Sequence, residues 1–191
     1  MDKKLHEKLK HRLINISITQ SVLRNQGRGI IDPIRKELGA RLSIPELFEK
    51  IFQNGNVGFD RYLDELTNSI DNCKRVKWGT ARKCSNIIFR EIVYTGFFWQ
   101  EYKLNSNDFR YNGMMNKLEV PLDSHVIYGL KNCVKKFNIK HEPTIFNSFR
   151  IKDLKKEKSN ELQKLANEVA KRKMVCRVNL DLFFWRNLEE L

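Results

Sequence analysis

The sequence predicts a nearly all-α fold, and three observations carry that prediction. Apolar residues recur three and four positions apart along most of the chain, strand-like alternation is almost absent, and only four prolines and nine glycines interrupt 191 residues. An apolar fraction of 41% with 10% aromatics supplies a core and separates the chain from disordered basic tails. For this length the simplest arrangement is one domain over residues 1–191 with two helical lobes, the cleft between them being built from noncontiguous segments.

The elements follow in order. Leu5, Leu9, Leu13, Ile16 and Leu23 line one side of a basic amphipathic helix that Asn25-Gln26-Gly27 stops. Pro45 suits the first turn of a helix carrying Leu47, Phe48, Ile51 and Phe52, and Asn54-Gly55-Asn56 breaks it. Phe59, Tyr62, Leu63, Leu66 and Ile70 set a helix over about Phe59–Asn72. The Gly79-Thr80 turn opens the next helix, with Ala81, Cys84, Ile88 and Ile92 on one stripe. Asn105–Gly113 is polar and turn-rich, and Asp123 is placed to N-cap a helix over Ser124–Phe137. Asn138–Pro143 reads as loop, Ser159–Lys173 as a charged helix, and Val178, Leu182, Phe183 and Trp185 as the apolar side of a closing helix.

Thirty-six Lys and Arg against 23 Asp and Glu leave a formal charge of +13, which favours a polyanionic partner, nucleic acid first. The start has charges but no uninterrupted apolar run, and nothing approaches a membrane span, so an intracellular protein, cytoplasmic or nucleoid-associated, is expected with no membrane partner. Cys73, Cys84, Cys133 and Cys176 are scattered without a close pair. Their spacing points to no zinc site and no cysteine-ligated iron–sulfur cluster, and no cofactor is expected.

Two stretches stand out chemically. Lys77-Trp78-Gly79-Thr80-Ala81-Arg82-Lys83-Cys84-Ser85-Asn86-Ile87 opens a helix on which Lys83, Asn86 and Arg90 share a polar stripe. Val120-Pro121-Leu122-Asp123-Ser124-His125-Val126 sets a carboxylate at a helix N-terminus, where unpaired N–H groups and the dipole favour its ionised form. Asp123 therefore suits an N-cap and equally a carboxylate that stabilises developing positive charge, and His125 reads as structural.

The first stretch resembles the hairpin and following helix of the helix-hairpin-helix DNA glycosylases, the superfamily of endonuclease III-like enzymes, which show L-P-G-x-G-R-K-x-x-N-[VI] there. The second is similar to that family's V-D-[TS]-H-[VI] motif, and the two occur in the family's order. The resemblance implies a hairpin-like element at about 77–92 and a catalytic-Asp motif at about 120–126. Trp78, Gly79, Thr80, Ala81, Arg82, Asn86 and Arg90 then become DNA contacts, and Asp123 the acid essential for base removal. Trp78 stands for the family's Pro and Ala81 for its second Gly, which alters the tight phosphate-binding turn. Lys83 and Asp123 are 40 positions apart, so an insertion over Phe97–Asn116 is required. A competing alignment lays Trp78–Ile92 on an earlier family helix and transfers only Asp123.

What this implies is a DNA N-glycosylase acting on a damaged or modified base in double-stranded DNA. The base is flipped from the stack, and Asp123 stabilises the oxocarbenium-like sugar. Lys83 is either the amine nucleophile of an AP-lyase activity or a phosphate contact. Phe109 and Tyr111, in the polar insertion, are the candidates for base contact, whereas Phe98 and Trp99 at helical spacing belong to the core. Two readings from other classes stay open. One is a non-catalytic helical DNA-binding protein that retains the hairpin-like element, and the other a structural subunit that binds protein through its aromatic faces.

Overall fold

The computed structural model describes residues 3–19, 23, 29–52, 57–102 and 115–185. Among the described residues the regular structure is helical throughout, with no strand, as the periodicity predicts. In chain order the helices are α1 (Lys3–Ser17), α2 (Ile31–Arg41), α3 (Ile44–Phe52), α4 (Val57–Asp71), α5 (Trp78–Tyr94), α6 (Gly96–Glu101), α7 (Ser124–Lys136), α8 (Lys156–Lys173) and α9 (Leu180–Trp185). Single 3-10 turns at Ile151–Asp153 and Arg177–Asn179 precede α8 and α9.

Local chemistry accounts for the boundaries. Pro45 does sit in the first turn of α3, which Ser43 opens by accepting Leu47 N–H at its carbonyl (2.9 Å) and Glu46 N–H at its hydroxyl (3.4 Å). The Tyr62 hydroxyl pins α4 to that turn: it accepts from Ser43 N–H at 3.0 Å and donates to Ser43 C=O at 3.2 Å. Asp123 caps α7 as expected, its Oδ1 accepting from the N–H groups of His125 and Val126 at 3.0 Å each. The expected α1 stripe is corrected in part: Leu13 and Leu23 are buried and Leu9 packs partly covered, but the helix ends at Ser17 rather than near Asn25. Ile16 is exposed, Leu5 is exposed, and the buried line runs through Lys10, Leu13, Ile14 and Ser17. Lys10 fits there because its stem packs while its amine reaches Glu7 at 2.7 Å. Helix α2, which has Pro33 and Gly39 inside it, was not signalled by the pattern. It forms because Ile34 and Leu38 bury one face, a tertiary gain that outweighs poor propensity.

The core consists of two clusters. The first joins α1 to α6 through Leu38, Phe48, Phe59, Leu63, Phe89 and Phe98 and ends at Met115 and Leu118, with Val178 returning to it. The second starts at Val120 and joins α7, α8 and α9 through Leu130, Leu162, Ala166, Leu180 and Phe184. The chain passes from one to the other at Glu119. Helix α5 touches both: its long apolar side packs on α4 and α1, and its first turns meet the Ile151–Asp153 turn and α8. Gly79 makes that second contact possible, since a Cβ there would fall 2.0 Å from the Ile151 carbonyl oxygen and 2.8 Å from Leu154 Cβ.

Candidate active site

Lys77 is extended and residues 78–92 lie in one continuous helix with no hairpin turn among them, and the first turns of α5 are interior. Thr80, Ala81, Arg82 and Asn86 are buried, and Gly79 is closed off by Ile151. The expectation that these residues face DNA is therefore corrected, because the surfaces they would offer are occupied by the protein itself. Trp78 is half-buried against the second cluster, with the Arg82 guanidinium carbon 5.6 Å from its ring centre. Arg90, on the same stripe, pairs with Glu91 at 2.7 Å and with Asp181, tying α5 to α9.

The buried polar groups form one network. Arg82 grips Glu119 with two hydrogen bonds, Nε to Oε2 at 2.9 Å and Nη2 to Oε1 at 2.8 Å, and its Nη1 reaches Asp64 at 2.7 Å. Asn86 Nδ2 donates to Glu119 Oε2 at 2.9 Å, and Lys156 reaches the other oxygen of Asp64 at 2.7 Å. Burial would push the Glu119 carboxyl up, but the Arg82 guanidinium, with help from Arg177 and the Asn86 amide, holds it below the ordinary carboxylate value. Asp60, lying near the same carboxylate, is pushed up by its own burial and then by Glu119. Two-point recognition of a carboxylate is a geometry that guanidinium supplies and an ammonium does not.

On the adjacent face of α5 the structure brings together the two residues singled out as catalytic. Lys83 Nζ stands 3.4 Å from Asp123 Oδ2, with side chains only 11% and 18% exposed, although 40 positions separate them in the chain. The two Asp123 oxygens divide the work. Oδ1 holds the first turn of α7, and Oδ2 faces the amine. Gly79, Lys83, Asn86, Leu122, Leu154 and Ser159 bound a narrow crevice on this side of α5, with no room in it for a water-sized group. Ser159 is buried with its hydroxyl unpartnered in the structure. The partly covered Asp123 carboxylate can stabilise a cation formed beside it, with the Lys83 amine in reach of the same point.

Phe109 and Tyr111 lie outside the described residues, whereas Phe98 is fully buried in the first cluster, as its spacing predicts. His125 is exposed, and its backbone N–H supports the Asp123 cap. The sequence reading missed Glu119, Asp64, Arg177 and Gln163. Glu119 carried a signal, because a lone acid within the apolar run Leu118-Glu119-Val120-Pro121-Leu122 must find a partner when that run is buried. Gln163 carried none. Among the described residues no group of His, Cys, Asp and Glu is arranged to hold a metal ion, and no helix is long and apolar enough to cross a membrane. Comparison with protein-family models, curated proteins and solved structures finds no match.

Proposed function

We propose that the protein is a DNA glycosylase that excises a damaged or modified base, with Asp123 as the carboxylate and Lys83 as the amine of the reaction. The observation that carries this reading is the 3.4 Å approach of Lys83 Nζ to Asp123 Oδ2 in a largely buried setting. The surplus charge of +13 supports a polyanionic substrate. Leaving of the base turns the sugar into an oxocarbenium-like cation, for which a fixed carboxylate is the complementary charge. Lys83 attacks the anomeric carbon once its proton has passed to an acceptor, and Asp123 Oδ2 is the acceptor at hand. The C–N bond to the base breaks as the new C–N bond to Nζ forms, and the departing base takes the proton held on Asp123, which restores the carboxylate beside the sugar; a proton then moves from the attached nitrogen to the ring oxygen as the sugar opens, giving an iminium that permits strand nicking by elimination. With Arg82, Asn86, Thr80 and Ala81 interior, DNA contact falls to the exposed lysines and to Lys83 itself, and Phe109 and Tyr111 remain the candidates for gripping the flipped base.

The test is a panel of duplexes carrying different lesions and modified bases, scored for abasic sites before and after alkali and for covalent trapping by borohydride. On the responsive duplex, Lys83→Gln should abolish trapping and nicking, because an amide cannot form the imine. Asp123→Asn should lower excision by about 10²–10³-fold while preserving folding and DNA binding, since the amide oxygen still caps α7. Steep loss of DNA affinity with added salt, without excision of any base in the panel, would instead establish the non-catalytic DNA-binding reading.

A further inference from the structure

The segment that delivers Asp123 has no regular structure over residues 119–123, so neither a helix nor a sheet ladder fixes it. Side chains from elsewhere hold it residue by residue. Arg177 donates from Nη2 to the Lys117 carbonyl and from Nε to the Leu118 carbonyl, both at 3.1 Å. The Glu119 carboxylate is taken by Arg82 and Asn86. Gln163 of α8 then holds both backbone groups of Val120: its Oε1 accepts from Val120 N–H at 3.2 Å, and its Nε2 donates to Val120 C=O at 2.8 Å. One amide side chain thus does for Val120 what a neighbouring strand would do. Pro121 follows with no N–H to satisfy, and Asp123 comes next but one.

We infer that Glu119 and Gln163 are positioning residues, which set where the Asp123 carboxylate stands relative to Lys83. The catalytic consequence rests on the glycosylase reading; the structural one rests on geometry alone. Both residues are almost wholly buried, and each is held to a partner from a distant part of the chain. An irregular strap packed only by apolar contact is free to slide along its groove, because such contacts are non-directional. Paired hydrogen bonds on consecutive residues remove that freedom, since any slip leaves several buried polar groups unpaired at once. The required tolerance is narrow: a displacement of about 1 Å at a reacting group costs about 10²-fold in rate.

The experiment uses the full-length protein. Gln163→Met keeps length and volume and removes both hydrogen bonds to Val120; Glu119→Gln keeps shape and removes the charge, and serves as well if the first variant does not fold. Three quantities are measured where circular dichroism shows the variant folded. These are the single-turnover excision rate at saturating enzyme, the DNA affinity, and hydrogen exchange of the His125 and Val126 amides that donate to Asp123 Oδ1. The expected result is excision slowed about 10–100-fold, unchanged affinity, and exchange accelerated at those two amides without acceleration across the rest of the core. An unchanged excision rate in a folded variant overturns the inference, and so does acceleration spread evenly over the core, which would signal general destabilisation. If the wild-type protein excises no base, the glycosylase reading fails by itself. Exchange then decides alone, and unaltered protection of His125 and Val126 overturns the clamp.

Discussion

The two apolar clusters are built differently. The first, spanning α1 to α6, holds Phe48, Phe59, Phe89 and Phe98 at full burial and is stitched by aromatic contacts such as the stacked pair Tyr62–Phe89, whose centroids are 5.9 Å apart. The second buries mainly aliphatic side chains, among them Val120, Val126, Val134, Leu162, Ala166 and Val169; of its aromatic rings Phe184 is buried, while Trp78, Phe137, Phe146 and Phe149 pack against it half-buried. Between them lies polar structure: Arg82, Glu119, Asn86 and Asp64 on one side of α5 and the Lys83–Asp123 pair on the next. Apolar burial stabilises each cluster without direction, whereas the joint depends on directional bonds between residues far apart in sequence. A site that must hold two groups in register belongs at such a joint, because each polar partner accepts only one geometry.

The strongest way to break the joint is Arg82→Met, which leaves Glu119 buried opposite an apolar side chain. Loss of one partner from a buried pair costs about 3–5 kcal/mol, and urea unfolding at neutral pH should show it. The pH dependence gives the sign. Arg82 depresses the folded-state pKa of Glu119, so the stabilisation is complete above the ordinary glutamate value and is lost as pH falls through the lower folded value. In Arg82→Met the same carboxyl is desolvated without its main counter-charge and gains stability as it protonates. The wild-type and variant curves should therefore converge on acidification; a gap that stays constant would mean that Glu119 does not depend on Arg82 for its charge.

A smaller effect should come from Gly79→Ala. The added methyl meets the Ile151 carbonyl oxygen at 2.0 Å, a backbone atom that cannot rotate away, so α5 and the 3-10 turn must separate. Overpacking of this kind costs about 1–3 kcal/mol, and the loss should appear as faster amide exchange in the Ile151–Asp153 turn and α8 before it appears in α4. Equal acceleration in α4 would show that the two clusters open as one unit.

Thiol reactivity reports on the first cluster without altering it, since Cys84 is buried in it and Cys73 and Cys176 pack against its edge. Burial pushes the Cys84 thiol up to about 12, so it should resist alkylation at pH 8 for as long as the first cluster stays closed. Cys73 and Cys176 are also pushed up by burial but are only partly covered, and should react first. Early labelling of Cys84 would reveal opening of the first cluster ahead of global unfolding.

Much of this protein was determined by local pattern. The helical class, the proline in the first turn of α3, the cap at Asp123 and the burial of Phe98 follow from periodicity and turn chemistry, which act over a few residues and so can be read from them. The motif reading also singled out Lys83 and Asp123, which the fold sets side by side. What the chain pattern did not settle is which face of each helix turns inward at a joint. Arg82 and Asn86 carry the same polar signature whether they face a phosphate or a buried carboxylate, and only the arrival of Glu119, 37 and 33 positions later, decided it. Likewise Ile16 fits the apolar period of α1 yet is exposed, because the neighbours that cover Leu13 and Ile14 do not reach it. Gln163 is the extreme case: a glutamine on a charged helix becomes the partner of a backbone 43 residues away, a role fixed by how α8 packs and by nothing in its own neighbourhood. Long-range polar contacts have no period, so they become visible only when the chain is folded.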